Sequence, residues 1–410
     1  MTLRVIPMAH SLVPGAPVIE ATPDGHRSSL RWLILLMAVA LAVCAMMSTI
    51  SFAPIIGIVA QDLGTDLGSA SFAFIGIPTS AMAIGMAICG FLVDRVGVFR
   101  IVIASLSTLI ATYIALAVFG HSFAAVLAIR VVQGLCSAGL MVSITPAIAA
   151  WFPSGQIGRA MGFPSIGAGV GTILGLNTGP QLMHSTGSWQ HGTSMLAVIA
   201  AAALAVAVAA SRLARSNISS SVAVETENEQ LSPTRNVLRL PIFRTGMFVI
   251  ALACWINMSF SDLAPGFLSV NPPIGAGFGA QQTGGLMSLF AISSVISAPI
   301  AGLLMDKVFS RQNRSVILLG FLISACAYPA VLLSAVHTHK AVIDAVLLLG
   351  GVANPFVNVT LMTMAAKIFD IGTVGRICGL WMSTSFLPAR PAFSWVRSRF
   401  DPLTTIEHRC

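Results

Sequence analysis

Runs of about 20 apolar residues follow one another along most of the chain, with only short polar breaks between them. Each run is long enough to cross a bilayer as a helix. In lipid the backbone polar groups of such a run must be satisfied internally, which favours helices over open strands. The chain is 56% hydrophobic and 9% charged, against about 25% charged residues in soluble domains. The sequence therefore predicts an all-α membrane protein with many spans.

We place eleven transmembrane helices in two bundles, an N-terminal one over 30–212 and a C-terminal one over 242–388. Residues 1–29 are predicted to be a cytoplasmic tail, residues 213–241 a polar cytoplasmic linker, and residues 389–410 an atypical C-terminal tail. The predicted helices span 30–59, 70–93, 99–119, 122–150, 157–183, 192–212, 242–268, 283–305, 314–336, 340–366 and 374–388.

Two short patterns recur half a chain apart and indicate that the bundles are copies of one unit. The first recurs at a sequence offset of 212 and the second at an offset of 217. Internal duplication of this kind is typical of transporters whose substrate site lies between the repeats. The repeated residues are Gly90, Asp94 and Arg95 with Gly302, Asp306 and Lys307, and Phe152, Arg159 and Gly162 with Phe369, Arg376 and Gly379.

Basic residues collect in alternate loops, so the net charge of +8 indicates topology rather than nucleic-acid binding. Because positive loops stay in the cytoplasm, both the N-terminus and the central linker are predicted to be cytoplasmic. No basic cluster interleaves with aromatic residues, which argues against a nucleic-acid partner. The residues that set this orientation include Arg95, Arg100, Arg159, Arg212, Arg215, Arg235, Arg239, Arg244, Arg311, Arg314 and Lys367.

The sequence offers no constellation for an enzyme. Its seven cysteines lie almost all within apolar runs and lack metal-ligand spacing, so we expect no metal site and no disulfide framework. It contains no phosphate-binding loop of the Gly-x-x-x-x-Gly-Lys-Ser/Thr type and no nucleophile–base arrangement. We therefore expect neither catalysis nor a cofactor.

Several motifs resemble those of the major facilitator superfamily over roughly residues 30–388. The segment from Gly90 to Arg100 resembles the superfamily's loop 2–3 signature, the segment from Arg130 to Ala138 its fourth-helix motif, and the segment from Gly175 to Pro180 its fifth-helix motif. The resemblance implies two pseudo-symmetric six-helix bundles and a secondary transporter. Here we count about eleven helices, with an incomplete C-terminal bundle.

The resemblance also implies a gating role for the duplicated loop signature. An acid at the end of helix two can meet the positive start of another helix, which the resemblance places at the start of helix eleven, near 374–376. Asp94 would then hold the two halves closed on the cytoplasmic side; the alternative is an ordinary solvated loop pair. The predicted gating residues are Gly90, Asp94, Arg95, Gly97, Arg100, Gly302, Asp306 and Lys307.

Polar residues inside predicted spans are candidates for the cavity and for coupling. Arg130 lies well inside helix four, where a charge is costly and usually faces a cavity or a partner, although its side chain could also snorkel to the interface. Asn354 and Asn358 share one helix face and either line a cavity or bond between helices. Asp262 either moves protons or merely lies near the outer end of helix seven. The full set is Arg130, Gln133, Asn177, Asn257, Asp262, Asn354 and Asn358.

We expect a secondary transporter that moves a small organic solute by alternating access, with protons as the coupling ion. The solute would be a monocarboxylate-like anion or a moderately apolar compound. The chain would act as a monomer in a bilayer, in the inner membrane of a bacterium. The alternative is a transport-inactive or sensor-like protein, because Arg390, Pro391 and Arg397 interrupt helix eleven. In that case a truncated C-terminal bundle would expose a polar or small-residue face to lipid.

Overall fold

The computed structural model describes residues 25–153, 155–218, 240–269, 275–307, 313–337 and 339–386. Every regular element in these ranges is a helix, which confirms the fold class predicted from the apolar runs. Most of the predicted N-terminal tail, most of the linker and the predicted C-terminal tail lie outside the described residues.

The first bundle contains six long helices and three short ones. The long helices correspond in order to the first six predicted spans. Their bounds are α1 Gly25–Ile50, α2 Ile56–Asp62, α3 Leu67–Ser71, α4 Ile77–Val96, α5 Val98–Phe119, α6 Phe123–Trp151, α7 Ile157–Thr186, α8 Trp189–Ser194 and α9 Ala197–Ile218.

The second bundle contains five long helices and one short one within the described residues. They correspond to predicted spans seven to eleven. Their bounds are α10 Pro241–Ser269, α11 Gly279–Lys307, α12 Asn313–Ala330, α13 Ser334–His337, α14 Lys340–Ile368 and α15 Ile371–Phe386.

Eight of the described helical stretches are long and apolar enough to cross a membrane. They correspond to all the predicted spans except those of α7, α12 and α15. The apolar stretch of α12 is shorter, Arg314–Ala330, and α15 has 16 residues. For these three helices, membrane crossing remains a prediction of the sequence pattern and the duplication.

Prolines explain where predicted helices are interrupted. The first predicted span, 30–59, was wrong as a single helix: α1 ends at Ile50 and a 3₁₀ turn, Ala53–Ile55, precedes α2. Pro54 in that turn has no N–H to donate to the helical ladder. The second span carries a π-helical turn, Phe72–Gly76, just before Pro78. The ninth ends at Ala330, directly after Pro329.

Helices α4 and α7 join the two bundles. Helix α4 packs along α15, and α7 packs along α11, while α1 packs on α7 within the first bundle. The largest apolar cluster includes buried residues from both halves, for example Leu41 and Trp381. The core is therefore continuous across the interface.

An apolar groove lies between α10 and α12, which are by their order the repeat counterparts of α1 and α5. In the first bundle α9 packs against both α1 and α5. In the second, the groove encloses a cavity of about 490 Å³ lined by Trp255, Phe260, Leu263 and Leu332, among others. The expectation of a polar or small-residue face was wrong here, because large apolar side chains form most of this surface.

Candidate functional site

The helix ends that carry Arg95, Arg100 and Arg159 are here called the basic end of the molecule. The other end, which carries Asp62 and Asp66, is called the opposite end. The two acids of the duplicated signature, Asp94 and Asp306, both lie at the basic end. Each reaches across to the other bundle.

Asp94 lies in the last turn of α4, not past the helix as the sequence pattern suggested. Its carboxylate accepts hydrogen bonds from the backbone N–H groups of Gly375 at 2.9 Å and Arg376 at 3.0 Å. The Arg376 Nε lies 3.4 Å from the same carboxylate, whose side chain is 3% exposed. These contacts, here called the Asp94 latch, place a buried negative charge near the N-terminus of α15, where the helix dipole favours it.

Asp306 makes the matching contacts in the other direction. It accepts hydrogen bonds from the backbone N–H groups of Gly158 at 3.2 Å and Arg159 at 2.8 Å, in the first turn of α7. Gly158 and Arg159 are the repeat counterparts of Gly375 and Arg376. In addition, the Lys367 Nζ lies 3.0 Å from the Asp306 carboxylate. The set is here called the Asp306 latch.

Glycines allow the helices at the basic end to approach each other. A Cβ added to Gly90 would lie 2.8 Å from the Gly375 carbonyl oxygen, and one added to Gly158 would lie 2.6 Å from that of Gly302. Gly97 has φ of 95° and forms the whole connection between α4 and α5. A residue with a Cβ would be strained in that conformation.

Arg130 is fully buried and bonded mainly to backbone carbonyls. Its guanidinium donates to the carbonyl oxygens of Ser48 at 2.7 Å, Thr49 at 3.1 Å and Phe74 at 3.0 Å. It also donates to the Gln133 side chain at 2.8 Å and lies over the Phe52 ring, 4.4 Å from its centroid. No acidic side chain among the described residues pairs with Arg130.

The partners of Arg130 explain why a lone buried cation is stable there. Ser48 and Thr49 lie in the last turn of α1, where carbonyls lack helical partners and the dipole is negative. Phe74 lies within the π-helical turn that precedes α4. Arg130 therefore ties the ends of two interrupted helices to α6.

The opposite end of the first bundle is tied together by Asp62. Its carboxylate accepts from the Trp189 indole at 2.8 Å and from the Gln190 side chain at 3.0 Å. The Trp189 ring packs edge-on against Phe52, with centroids 5.9 Å apart. Asp66 nearby caps α3 by accepting from the Ser69 N–H, and these Ser69 hydrogen bonds lower the pKa of Asp66.

The interior of the second bundle carries uncharged polar groups. Asn257 donates to the Tyr328 hydroxyl at 3.2 Å, and the Tyr328 ring stacks on Phe260 with centroids 4.2 Å apart. The Asn358 amide bonds to the Asn354 side chain one turn away. The Cys254 thiol lies 3.8 Å from Asn358. These contacts join α10, α12 and α14.

The remaining predicted residues are dispersed. Arg95, Arg100 and Asn177 are exposed, and the Asn177 amide bonds only within its own helix, to the Ile173 carbonyl. The side chains of Lys307 and Asp262 lie outside the described residues.

Sequence reasoning missed some contributors to these sites. Arg159 belongs to the second repeated pattern, so the duplication already pointed to it as the counterpart of Arg376. Lys367 and Asp62 give no comparable signal, because their partners are distant in sequence and neither residue is duplicated.

The sequence profile described as the Major Facilitator Superfamily matches residues 36–389. A solved structure of the proton:xylose symporter XylE bound to 6-bromo-6-deoxy-D-glucose superposes with a TM-score of 0.64 at 14% sequence identity. The match covers 93% of this chain and 90% of that one. A comparison with curated proteins finds no significant match.

The chain belongs to the Major Facilitator Superfamily. It is a multi-pass integral membrane protein and a secondary transporter of small solutes rather than an enzyme. The predicted family and fold are thereby confirmed.

Proposed function

We propose that this transporter moves a small organic solute by alternating access, driven by protons, with the basic end at the cytoplasm. The observation that carries the proposal is the pair of latches. Both join the two bundles and both lie at the same end, so releasing them would open that end while the bundles stay intact. The positive charge of this end supports its cytoplasmic placement.

The described conformation is closed at the basic end. Close contacts between bundles concentrate at the basic end, where Gly90 meets Gly375 and Gly158 meets Gly302. The first helices of the two bundles, α1 and α10, make at most marginal contact within the described residues. A transporter closed at its cytoplasmic side corresponds to one of the two states that alternating access requires.

The solute is proposed to be neutral and moderately apolar. Arg130 would be the natural partner of a monocarboxylate, but its guanidinium is buried and bonded to Ser48, Thr49 and Phe74. Binding an anion there would require breaking these bonds. We assign Arg130 a conformational role, in which it fixes the ends of α1 and α4 to α6.

The polar groups that would contact such a solute are Asn257, Asn354, Asn358 and Tyr328. Amides and a phenol provide hydrogen bonds without charge, and aromatic rings such as Phe260 offer apolar surface. A few convergent polar groups on an otherwise apolar wall are typical of small-molecule sites.

A flux experiment tests this proposal. Purified protein is first screened against neutral organic compounds by thermal shift, and a stabilising compound is then used as labelled solute in proteoliposomes. Uptake should rise when an inward proton gradient is imposed and fall when the gradient is collapsed. Asn358→Ala should weaken uptake, whereas Asn177→Ala, which alters an exposed amide, should leave it unchanged. Uptake that ignores the gradient would contradict proton coupling, and uptake restricted to anions would contradict the neutral solute.

A further inference from the structure

Two exposed arginines lie at the start of the helices that border the apolar groove. Arg244 lies in the first turn of α10 and Arg314 in the first turn of α12, both at the basic end. Neither forms an ion pair among the described residues. No acidic residue occurs in the first half of α10 or anywhere in α12. The two helix starts therefore present positive charge without a local counter-charge.

Each arginine lies on the helix face that lines the groove. On α12, positions 318, 321, 325 and 328 follow Arg314 at intervals of three or four, which keeps them on one side of the helix, and Tyr328 lines the cavity. On α10, positions 248, 252, 255, 259 and 263 follow Arg244 in the same way. Those of this set that line the cavity are Leu252, Trp255, Ser259 and Leu263. The groove is thus bordered by two stripes, each with a positive charge at its basic end.

Exposed apolar side chains cover the walls between the arginines and the cavity. Phe248 on α10 is 68% exposed, and Leu318 and Leu322 on α12 are 66% and 60% exposed. One leaflet contributes about 15 Å to the hydrocarbon core of a bilayer, which corresponds to about ten residues of helix. Counted from Arg244, that depth reaches the near end of the cavity, at Leu252. The stripes therefore match one leaflet in length.

The groove lies on the side of the second bundle that faces away from the first. Helix α12 packs chiefly against α14. Helix α14 in turn meets the first bundle, where the Thr145 hydroxyl contacts the Met362 sulfur at 4.0 Å. Among the described residues, no element of the first bundle makes more than marginal contact with α12. The groove is therefore separate from the interface between the bundles and faces the lipid.

We infer that this groove binds a phospholipid with an anionic headgroup. Arg244 and Arg314 hold the headgroup, and the two stripes hold the acyl chains, whose ends reach the cavity. Guanidinium groups suit a phosphate because their N–H groups form a planar fork. Basic pockets between transmembrane helices on the cytoplasmic side are typical sites for anionic lipid headgroups. The inference goes beyond the proposed transport and uses only the proposed orientation of the basic end.

Charge argues against the two occupants that the chain itself could supply. Residues 387–410 carry four arginines against two acids, so Arg244 and Arg314 would repel this segment at the basic end. A second copy of the chain would bring further basic helix ends to the same level, such as Arg212 of α9. An anionic lipid is the occupant whose charge complements the groove.

Tryptophan quenching in vesicles tests the site, because Trp255 lines the cavity and is 49% exposed. The full chain is reconstituted in phosphatidylcholine vesicles that contain increasing fractions of brominated phosphatidylglycerol or brominated phosphatidylcholine. Subtracting the spectrum of Trp255→Phe isolates the signal of Trp255. The anionic lipid should quench it at a lower mole fraction, with a preference of up to about 30-fold, since each basic residue near a membrane surface adds about fivefold to the affinity.

Variants of the two arginines identify the headgroup contacts. Arg244→Gln and Arg314→Gln should each reduce the preference for the anionic lipid about fivefold, and the double variant should abolish it. Arg244→Lys keeps the charge and should retain most of the preference. Arg212→Gln makes the same change at an exposed residue of α9, away from the groove, and should leave the preference intact. Gel filtration identifies any variant that fails to fold, and the other single variant then carries the test.

The outcomes separate this site from its competitors and from transport. Equal quenching by both lipids, or a preference that survives in the double variant, overturns the anionic site. A preference that falls as much in Arg212→Gln would reveal general attraction to a basic surface and also overturns it. Absence of Trp255 quenching would show that residues 387–410 or a second copy fill the groove instead. No readout involves solute flux, so failure of the proposed transport would leave the lipid site standing.

Discussion

The two bundles are nearly alike at the basic end and differ at the opposite end. At the basic end, Asp94 and Asp306 make the same pair of backbone hydrogen bonds to the other half. At the opposite end, buried Arg130 binds helix ends in the first bundle, while its repeat counterpart is Leu347, fully buried in an apolar cluster. The duplication therefore preserved the contacts between the bundles at the basic end and let the inner supports of each bundle diverge.

Coverage of the first helix differs as well. Of the most apolar 18-residue stretch in each first span, 56% is buried in Leu30–Asp62 and 18% in Pro241–Pro265. Part of this difference reflects α9, which packs on α1 and α5, whereas the groove between α10 and α12 is uncovered within the described residues. The second bundle is thus the less supported of the two, and substitutions at equivalent positions should have unequal effects.

The largest contrast is expected between Arg130→Met and Leu347→Met, which place the same residue at equivalent positions. Arg130→Met leaves three buried carbonyl oxygens without a hydrogen-bond donor, and each costs about 1–3 kcal/mol. The free energy of unfolding should therefore fall by about 3 kcal/mol or more. Leu347→Met conserves volume and should cost less than about 1.5 kcal/mol. Thermal unfolding in detergent measures both. Equal losses of unfolding free energy in the two variants would show that both bundles are held together in the same way at the opposite end.

The next largest effect is expected from Gly302→Val. Its side chain would collide with the Gly158 carbonyl, and overpacking of this kind costs about 1–3 kcal/mol, which disfavours closure of the basic end. Gly285→Val makes the same change on the same helix where nothing lies within 4 Å. Spin labels at exposed positions 100 and 314, in a cysteine-free background, report the distance between bundles. That distance should lengthen only in Gly302→Val; a lengthening in both variants would implicate helix propensity instead.

The two latches should differ in strength. Asp94→Asn removes a charge that meets a helix N-terminus, worth up to about 2 kcal/mol when partly buried. Asp306→Asn removes the same helix-end interaction. Each variant also removes an ion pair with an arginine, Arg376 for Asp94 and Arg159 for Asp306, but Asp306→Asn removes in addition the ion pair with Lys367, which adds up to about 1 kcal/mol. In both variants the distance between the two spin labels should lengthen because the basic end opens more often. The lengthening should be larger in Asp306→Asn. An unchanged distance in Asp94→Asn would leave that residue as an ordinary helix-end acid.

The smallest effect is expected from Lys367→Met. It removes one of the two cations that lie near Asp306, Lys367 and Arg159, so it should weaken closure by less than about 1 kcal/mol. The Lys367 side chain is 24% exposed, and salt screens exposed pairs, so high salt should move the wild type towards the variant. Arg244→Met, an exposed residue in the first turn of α10, serves as the control. A shift as large as that of Asp306→Asn would mean that the ion pair, not the helix N-terminus, holds this latch.

The fold and the Asp94 latch could be predicted because the internal duplication and the lengths of the apolar runs can be read directly from the sequence. The implied partner region of Asp94, near 374–376, is where the carboxylate lies in the structure. The environment of Arg130 was not predictable, because its partners are backbone carbonyls whose availability depends on where α1 ends and on the π-helical turn.

The contact between Thr145 and Met362 has a consequence for how this molecule can change. The two residues are separated by the repeat distance of 217 and touch each other at 4.0 Å, so they lie beside the axis that relates the halves. In a symmetric dimer of identical subunits, a residue on such an axis meets its own copy. Because the halves are fused into one polypeptide, the two positions can carry different residues, and here a hydroxyl faces a thioether. A symmetric assembly of identical chains cannot present such an unlike pair on its own axis.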